Sequence, residues 1–138
     1  MNVPRFASTI DAQLPLFAGG VVAASTNFPS LDLGVGYAPN GAGQPMTAVI
    51  PITTVKLSAG NETYVFKVQD SPDGATWTDR SAARSIADDS IATTDGAGGE
   101  IALPCAIINE FVRLVATLGG TAPSITLGGC FLSPLVLR

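Results

Sequence analysis

Histidine is absent from the 138 residues. Its absence removes the commonest general base and rules out Ser-His-Asp and Cys-His devices. Cysteine is scarce. Cys105 and Cys130 alone cannot make an ordinary zinc site. Their pairing stays open, but an intracellular origin favours free, packed thiols. Positive charge is sparse too: Lys and Arg total 7, the net charge is −4, and only Arg80 and Arg84 lie close together. Without a basic stripe to neutralise phosphates, nucleic acid and anionic membranes are excluded as expected partners. Long apolar runs are missing as well. Residues 14–24, LPLFAGGVVAA, are too short to span a bilayer. Asp11 and Gln13 precede that run, and Pro15 and Gly19-Gly20 interrupt it, which argues against a signal peptide. The chain is therefore expected to be made in the cytoplasm.

What the sequence does contain is punctuation. Its 15 glycines and 10 prolines are spread along the chain, and 46% of residues are apolar against 13% charged. Such spacing breaks helices and favours short strands joined by turns around a single core. So few charges also imply that another molecule covers part of the surface.

Residues 64–79, YVFKVQDSPDGATWTD, organise the rest. Tyr64, Phe66 and Val68 alternate with Lys67 and Gln69, the pattern of a strand with one buried face. Asp70-Ser71-Pro72-Asp73-Gly74 follows as a turn, and Trp77 stands directly after it. Residues 111–117, FVRLVAT, supply a matching strand with Val112, Leu114 and Ala116 inward and Arg113 and Thr117 outward. These two strands are expected at the centre of one β-sandwich.

Other strands are read at residues 21–25, 31–33, 46–52, 100–104, 124–127 and 130–132. Pro51 cannot donate to a ladder, which predicts a sheet edge there. The apolar phase slips between Ile52 and Val55, which predicts a bulge or turn at Thr53-Thr54; Gly128-Gly129 reads as a second bulge. Residues 80–85 could form one helical turn. Eight or so short strands without a convincing helix argue an all-β sandwich or barrel, divided into an N-terminal arm (1–20) and one sandwich domain (21–138).

Candidate sites are few. Asp70 with Asp73, or Asp88 with Asp89, could form an acid pair, but turn geometry and a solvated loop account for them. Asp70, Asp73, Asp79 and Asp95 could converge on calcium, although their spacing fits no EF-hand loop. Trp77 reads either as a sugar-stacking ring or as a plug closing the end of the core; with one Trp and two Tyr in the chain, the plug is preferred. No catalytic, cofactor or metal residue is assigned. The arm carries Phe6, Leu14, Leu16 and Phe17, which either lie on a neighbouring molecule or form an edge strand. The 34–45 loop, with Tyr37, is long enough to carry outside contacts. Leu135 and Leu137 keep the C-terminus apolar, so it belongs in a sheet or against a partner. Phe6, Leu14, Leu16, Phe17, Tyr37, Leu135 and Leu137 are the working set for a partner interface.

As an ordered series the landmarks are DAQLPLFAGG, VVAASTN, LDLG, a glycine-rich loop ending in GQPM, TAVIPI, YVFKVQDSPDGATW, IALP, FVRLVAT and GGCFLSPLVL. The series covers nearly the whole chain and resembles the small capsid cement, or decoration, proteins of tailed bacteriophages, the short-tailed-phage type in particular. It departs from that pattern in longer loops at 34–45 and 88–99. The resemblance implies a jelly-roll-like antiparallel β-sandwich on the outer capsid surface. There it would bridge neighbouring major capsid subunits, often as a dimer or trimer, with no cofactor. A carbohydrate-binding sandwich and a phage tail or head-completion component are the alternatives.

Overall fold

In the computed structural model, residues 14–34, 44–57, 60–86 and 99–133 are described. They form twelve strands: β1 (Pro15–Phe17), β2 (Gly20–Val22), β3 (Thr26–Asn27), β4 (Leu31–Asp32), β5 (Gln44–Val55), β6 (Thr63–Ser71), β7 (Thr78–Asp79), β8 (Arg84–Ser85), β9 (Glu100–Ile107), β10 (Phe111–Gly119), β11 (Ile125–Leu127) and β12 (Cys130–Ser133). Four pairs of short strands (β1 with β2, β3 with β4, β7 with β8, β11 with β12) each follow one side of the same neighbouring ribbon. Merging them leaves eight ribbons in two antiparallel sheets. One sheet runs β1/β2, β12/β11, β5, β9; the other runs β4/β3, β10, β6, β7/β8. In chain order that is 1-8-3-6 over 2-7-4-5, the double Greek key of a jelly roll.

The alternation read from the sequence sets the faces. Tyr64, Phe66 and Val68 on β6, and Val112, Leu114 and Ala116 on β10, are all buried, and the two strands pair along their full lengths. Ile101, Leu103, Cys105 and Ile107 on β9 and Ile50 and Ile52 on β5 close the core from the other sheet. The buried Tyr64 hydroxyl donates to Lys56 O and accepts from Ser124 N (2.9 Å), which ties the end of β5 to the approach of β11.

Several expectations are corrected. Residues 15–20 are not part of a separate arm. β1 pairs with β12, Leu16 is 3% exposed within the core, and Phe17 packs on Phe28 with ring centroids 4.4 Å apart. Pro15 is compatible with that strand because it lies on the edge ribbon. Pro51, by contrast, is not at an edge. β5 is flanked by β9 on one side and by β12 and then β11 on the other. The proline fits because Gly128-Gly129 interrupts the neighbouring ribbon beside it, and Gly128 N donates to Pro51 O at 2.9 Å. A Cβ on Gly128 would stand 3.2 Å from the Pro51 side chain, so any larger residue would crowd the proline ring. Nor is there a helical turn at 80–85. Arg84–Ser85 is β8, because the open edge of β6 offers ladder partners that outweigh local propensity.

The bulge expected at Thr53-Thr54 is present: Thr126 faces Thr54 while Leu127 faces Ile52, leaving Thr53 unpaired. That extra residue returns Val55 to the core face.

Core packing yields a direct test. Phe66→Ala should destabilise the isolated subunit by ~3–5 kcal/mol and Leu16→Ala by ~2–5 kcal/mol, both read from urea midpoints. A change below about 1 kcal/mol for Leu16→Ala would remove that residue from the subunit's own core.

Candidate binding face

The tight turn after β6 places the most conspicuous side chain. Asp73 Oδ1 accepts from Ala75 N and Thr76 N, both at 2.9 Å, and Ser71 Oγ accepts from Gly74 N at 2.8 Å. The bonds from Thr76 and Ala75, with one donated by the Ser71 hydroxyl, hold the exposed Asp73 carboxyl below its ordinary pKa. Gly74, at φ 77°, supplies the left-handed step. The chain then returns along β6 with Trp77 on the outer face of the sheet. Trp77 is half-buried and lies outside the core, so it does not plug the sandwich.

The Arg113 guanidinium carbon sits 4.3 Å from the Trp77 ring centroid. Arg113 and Gln69 are opposed across β10 and β6, and Gln69 and Asp79 across β6 and β7. Register thus builds a row. Arg113 Nε donates to Gln69 Oε1 (2.9 Å), Gln69 Nε2 donates to Asp79 Oδ1 (2.8 Å), and Lys67 Nζ stands 3.1 Å from the same carboxylate. The bonds from Gln69 and Lys67 hold the Asp79 carboxyl below its usual pKa, whereas burial lowers that of Arg113. The sequence showed Lys67, Gln69 and Arg113 as outward positions. Register and the turn, which bring Asp79 and Trp77 to them, were not visible in it.

Asp70 occupies the opposite phase of β6 and is fully buried. It does more than shape the turn. Oδ1 accepts from Arg80 Nε (2.8 Å) and Asn109 Nδ2 (3.1 Å), and Oδ2 accepts from Ile108 N (2.8 Å) and Asn109 N (2.9 Å). Burial pushes its pKa up, but these donors outweigh it and the pKa lies below the ordinary 3.8. With Asp70 inward and Asp79 outward, the two carboxylates do not converge on a cation. Among the described residues no group of three or more His, Cys, Asp or Glu side chains could hold a metal ion; Asp95, Asp88 and Asp89 lie outside them.

A shallow groove of about 650 Å³ runs between Arg80, Ser81 and Ala82 on one side and Pro104, Ala106 and Ile108 on the other. Cys105 lies along it but is only 8% exposed, and burial pushes its thiol up to about 12. Cys130, also free and buried, is pushed up to about 12 for the same reason. Neither forms an appreciable thiolate near neutral pH, so neither is poised as a nucleophile.

Of the working interface set, Leu16 belongs to the core, and Leu14 and Phe17 are half-buried against it. All three serve the subunit's own packing, because β1 completes the edge of its sheet. Phe6, Tyr37, Leu135 and Leu137 lie outside the described residues.

Asp70→Ala should cost about 3–5 kcal/mol at neutral pH, since it orphans buried donors. In the native protein the Asp70 contribution should be complete well above pH 3.8, the unfolded value. It should then fade as acid protonates the unfolded chain first, and vanish once pH passes below the lowered folded-state pKa. Urea titrations of both proteins across that range should converge at low pH. A thiol reagent at mildly alkaline pH should label neither cysteine in the native protein and both after denaturation without reductant. An unlabelled mass two protons lighter would instead mean a disulfide.

No protein-family model and no curated protein sequence matches the chain.

Proposed function

We propose that the protein is a structural virion component that binds the outer surface of a tailed-phage capsid and clamps neighbouring major capsid subunits together. The observation that carries this reading is the outer face of β10 and β6. Its polar side chains bond one another along a sheet surface, giving a rigid docking face in place of a reactive cleft. The ordered resemblance to cement proteins makes the reading specific, and the jelly-roll topology is the fold that resemblance implies. A net charge of −4 suits a surface that does not meet packaged DNA. Binding to the assembled shell and not to its free subunits would lower the free energy of the shell by mass action, and an oligomer engaging several subunits would gain further by avidity.

Trp77 keeps a second reading in view, because a half-buried ring outside the core also suits a carbohydrate-binding module. Mixing the purified protein with expanded shells that lack it separates the two. Saturable binding in many copies per shell, with a raised temperature of shell disruption, is expected. Glycan binding that is lost in Trp77→Ala, without shell binding, would replace the capsid reading with the second. Incorporation of only a handful of copies would point to a tail or head-completion part.

A further inference from the structure

Arg113 stands out because its charge has no carboxylate partner among the described residues. The ion pairs among the described residues are Lys67 with Asp79 and Arg80 with Asp70. Arg113 instead uses its Nε on the neutral Gln69 amide, and its two terminal amino groups bond to no side-chain or backbone oxygen among the described residues. Of the outward carboxylates on neighbouring strands, Asp79 is already engaged by Lys67 and Gln69, and Asp32, diagonal to Arg113 across β4 and β10, accepts from Gly34 N. Burial has stripped part of the guanidinium's water, so a missing anion is costlier here than on an open surface.

The group is also held in place. β10 is paired on both sides, by β3 and β4 and by β6, so the arginine grows from a rigid base. Trp77 covers one side of the guanidinium and Gln69 holds its Nε; Gln69 is itself bonded to Asp79, which Lys67 also engages. A planar fork held in this way has already lost most of the side-chain freedom that binding would otherwise remove. The row carries two cations, Lys67 and Arg113, against the single anion Asp79.

We infer that Arg113 is the recognition residue of this face and receives a carboxylate, supplied by an aspartate or glutamate side chain of the partner protein, on its free terminal amino groups. This rests on the capsid-binding reading and specifies its chemistry. The guanidinium occupies one face of Trp77, leaving that face unavailable to a sugar ring. Charge complementarity therefore favours an acidic protein surface over a neutral glycan. Two parallel N–H···O bonds to one carboxylate are both stronger and more selective than a point-charge contact.

The experiment compares wild type, Arg113→Gln and Arg113→Lys for affinity to expanded shells lacking the protein, at low and high salt. Thermal midpoints of the isolated subunits serve as the folding control. Arg113→Gln should weaken binding by ~30-fold or more and flatten its salt dependence. Arg113→Lys should recover only a small part of that loss, because lysine keeps the charge without the fork. Midpoints close to wild type would show that the loss is not one of folding. If Arg113→Gln itself melts early, a correctly folded Arg113→Lys that binds as wild type would overturn the inference. Shell binding by wild type that neither substitution weakens overturns it too, while leaving the capsid reading intact. Failure of wild type to bind shells removes the capsid reading and this inference together. Arg113-dependent capture on an array of uronate and sialate glycans would then identify the carboxylate as a sugar's.

Discussion

The buried carboxylate of Asp70 is the constraint on which the two-sheet arrangement depends. It lies at the inner end of β6, in one sheet, and accepts from the backbone of Ile108 and Asn109, where the chain leaves β9 in the other. Arg80, just past β7, supplies the compensating charge. A carboxylate removed from water is tolerated only when its oxygens are filled, and here four donors fill them. One side chain thus holds both the end of the central strand and the crossover between sheets.

The second constraint runs across the other sheet. Gly19-Gly20, Gly128-Gly129 and Pro51 come from three ribbons and meet side by side. A Cβ on Gly19 would lie 3.2 Å from the Gly128 backbone, and one on Gly128 would lie 3.2 Å from Pro51. Each interruption weakens its own ladder. Together they place the missing donor of a proline beside a ribbon that has already broken its pairing. Interrupted ribbons of this kind bend where they break, and one sheet of the protein curls into a half-barrel.

The candidate binding face is positioned by these constraints. β6 and β10 present Gln69 and Arg113 outward because their opposite phases are committed to the core. The turn that follows Asp70 folds Trp77 back over the same strands. Burial on one face and the bonded polar row on the other are therefore consequences of one alternation.

That alternation was fully legible in the sequence, since period-two spacing of Tyr64, Phe66 and Val68 has only one solution when one face must leave water. The Asp-Gly turn and the phase slip at Thr53 were legible for the same local reason: each follows from backbone geometry within a few residues. The fate of Pro51 was not, because whether a missing donor costs anything depends on the ribbon beside it, and that ribbon comes from residues 128–129. The same holds for Leu16, whose apolarity is equally consistent with a partner's surface or its own core until β12 is in place. Trp77, Asp79 and Arg113 became one site only through strand register, a relation between distant segments. Sequence thus determined which side of each strand leaves water; tertiary structure decided which strands meet, because pairing energy is shared between segments and written in neither alone.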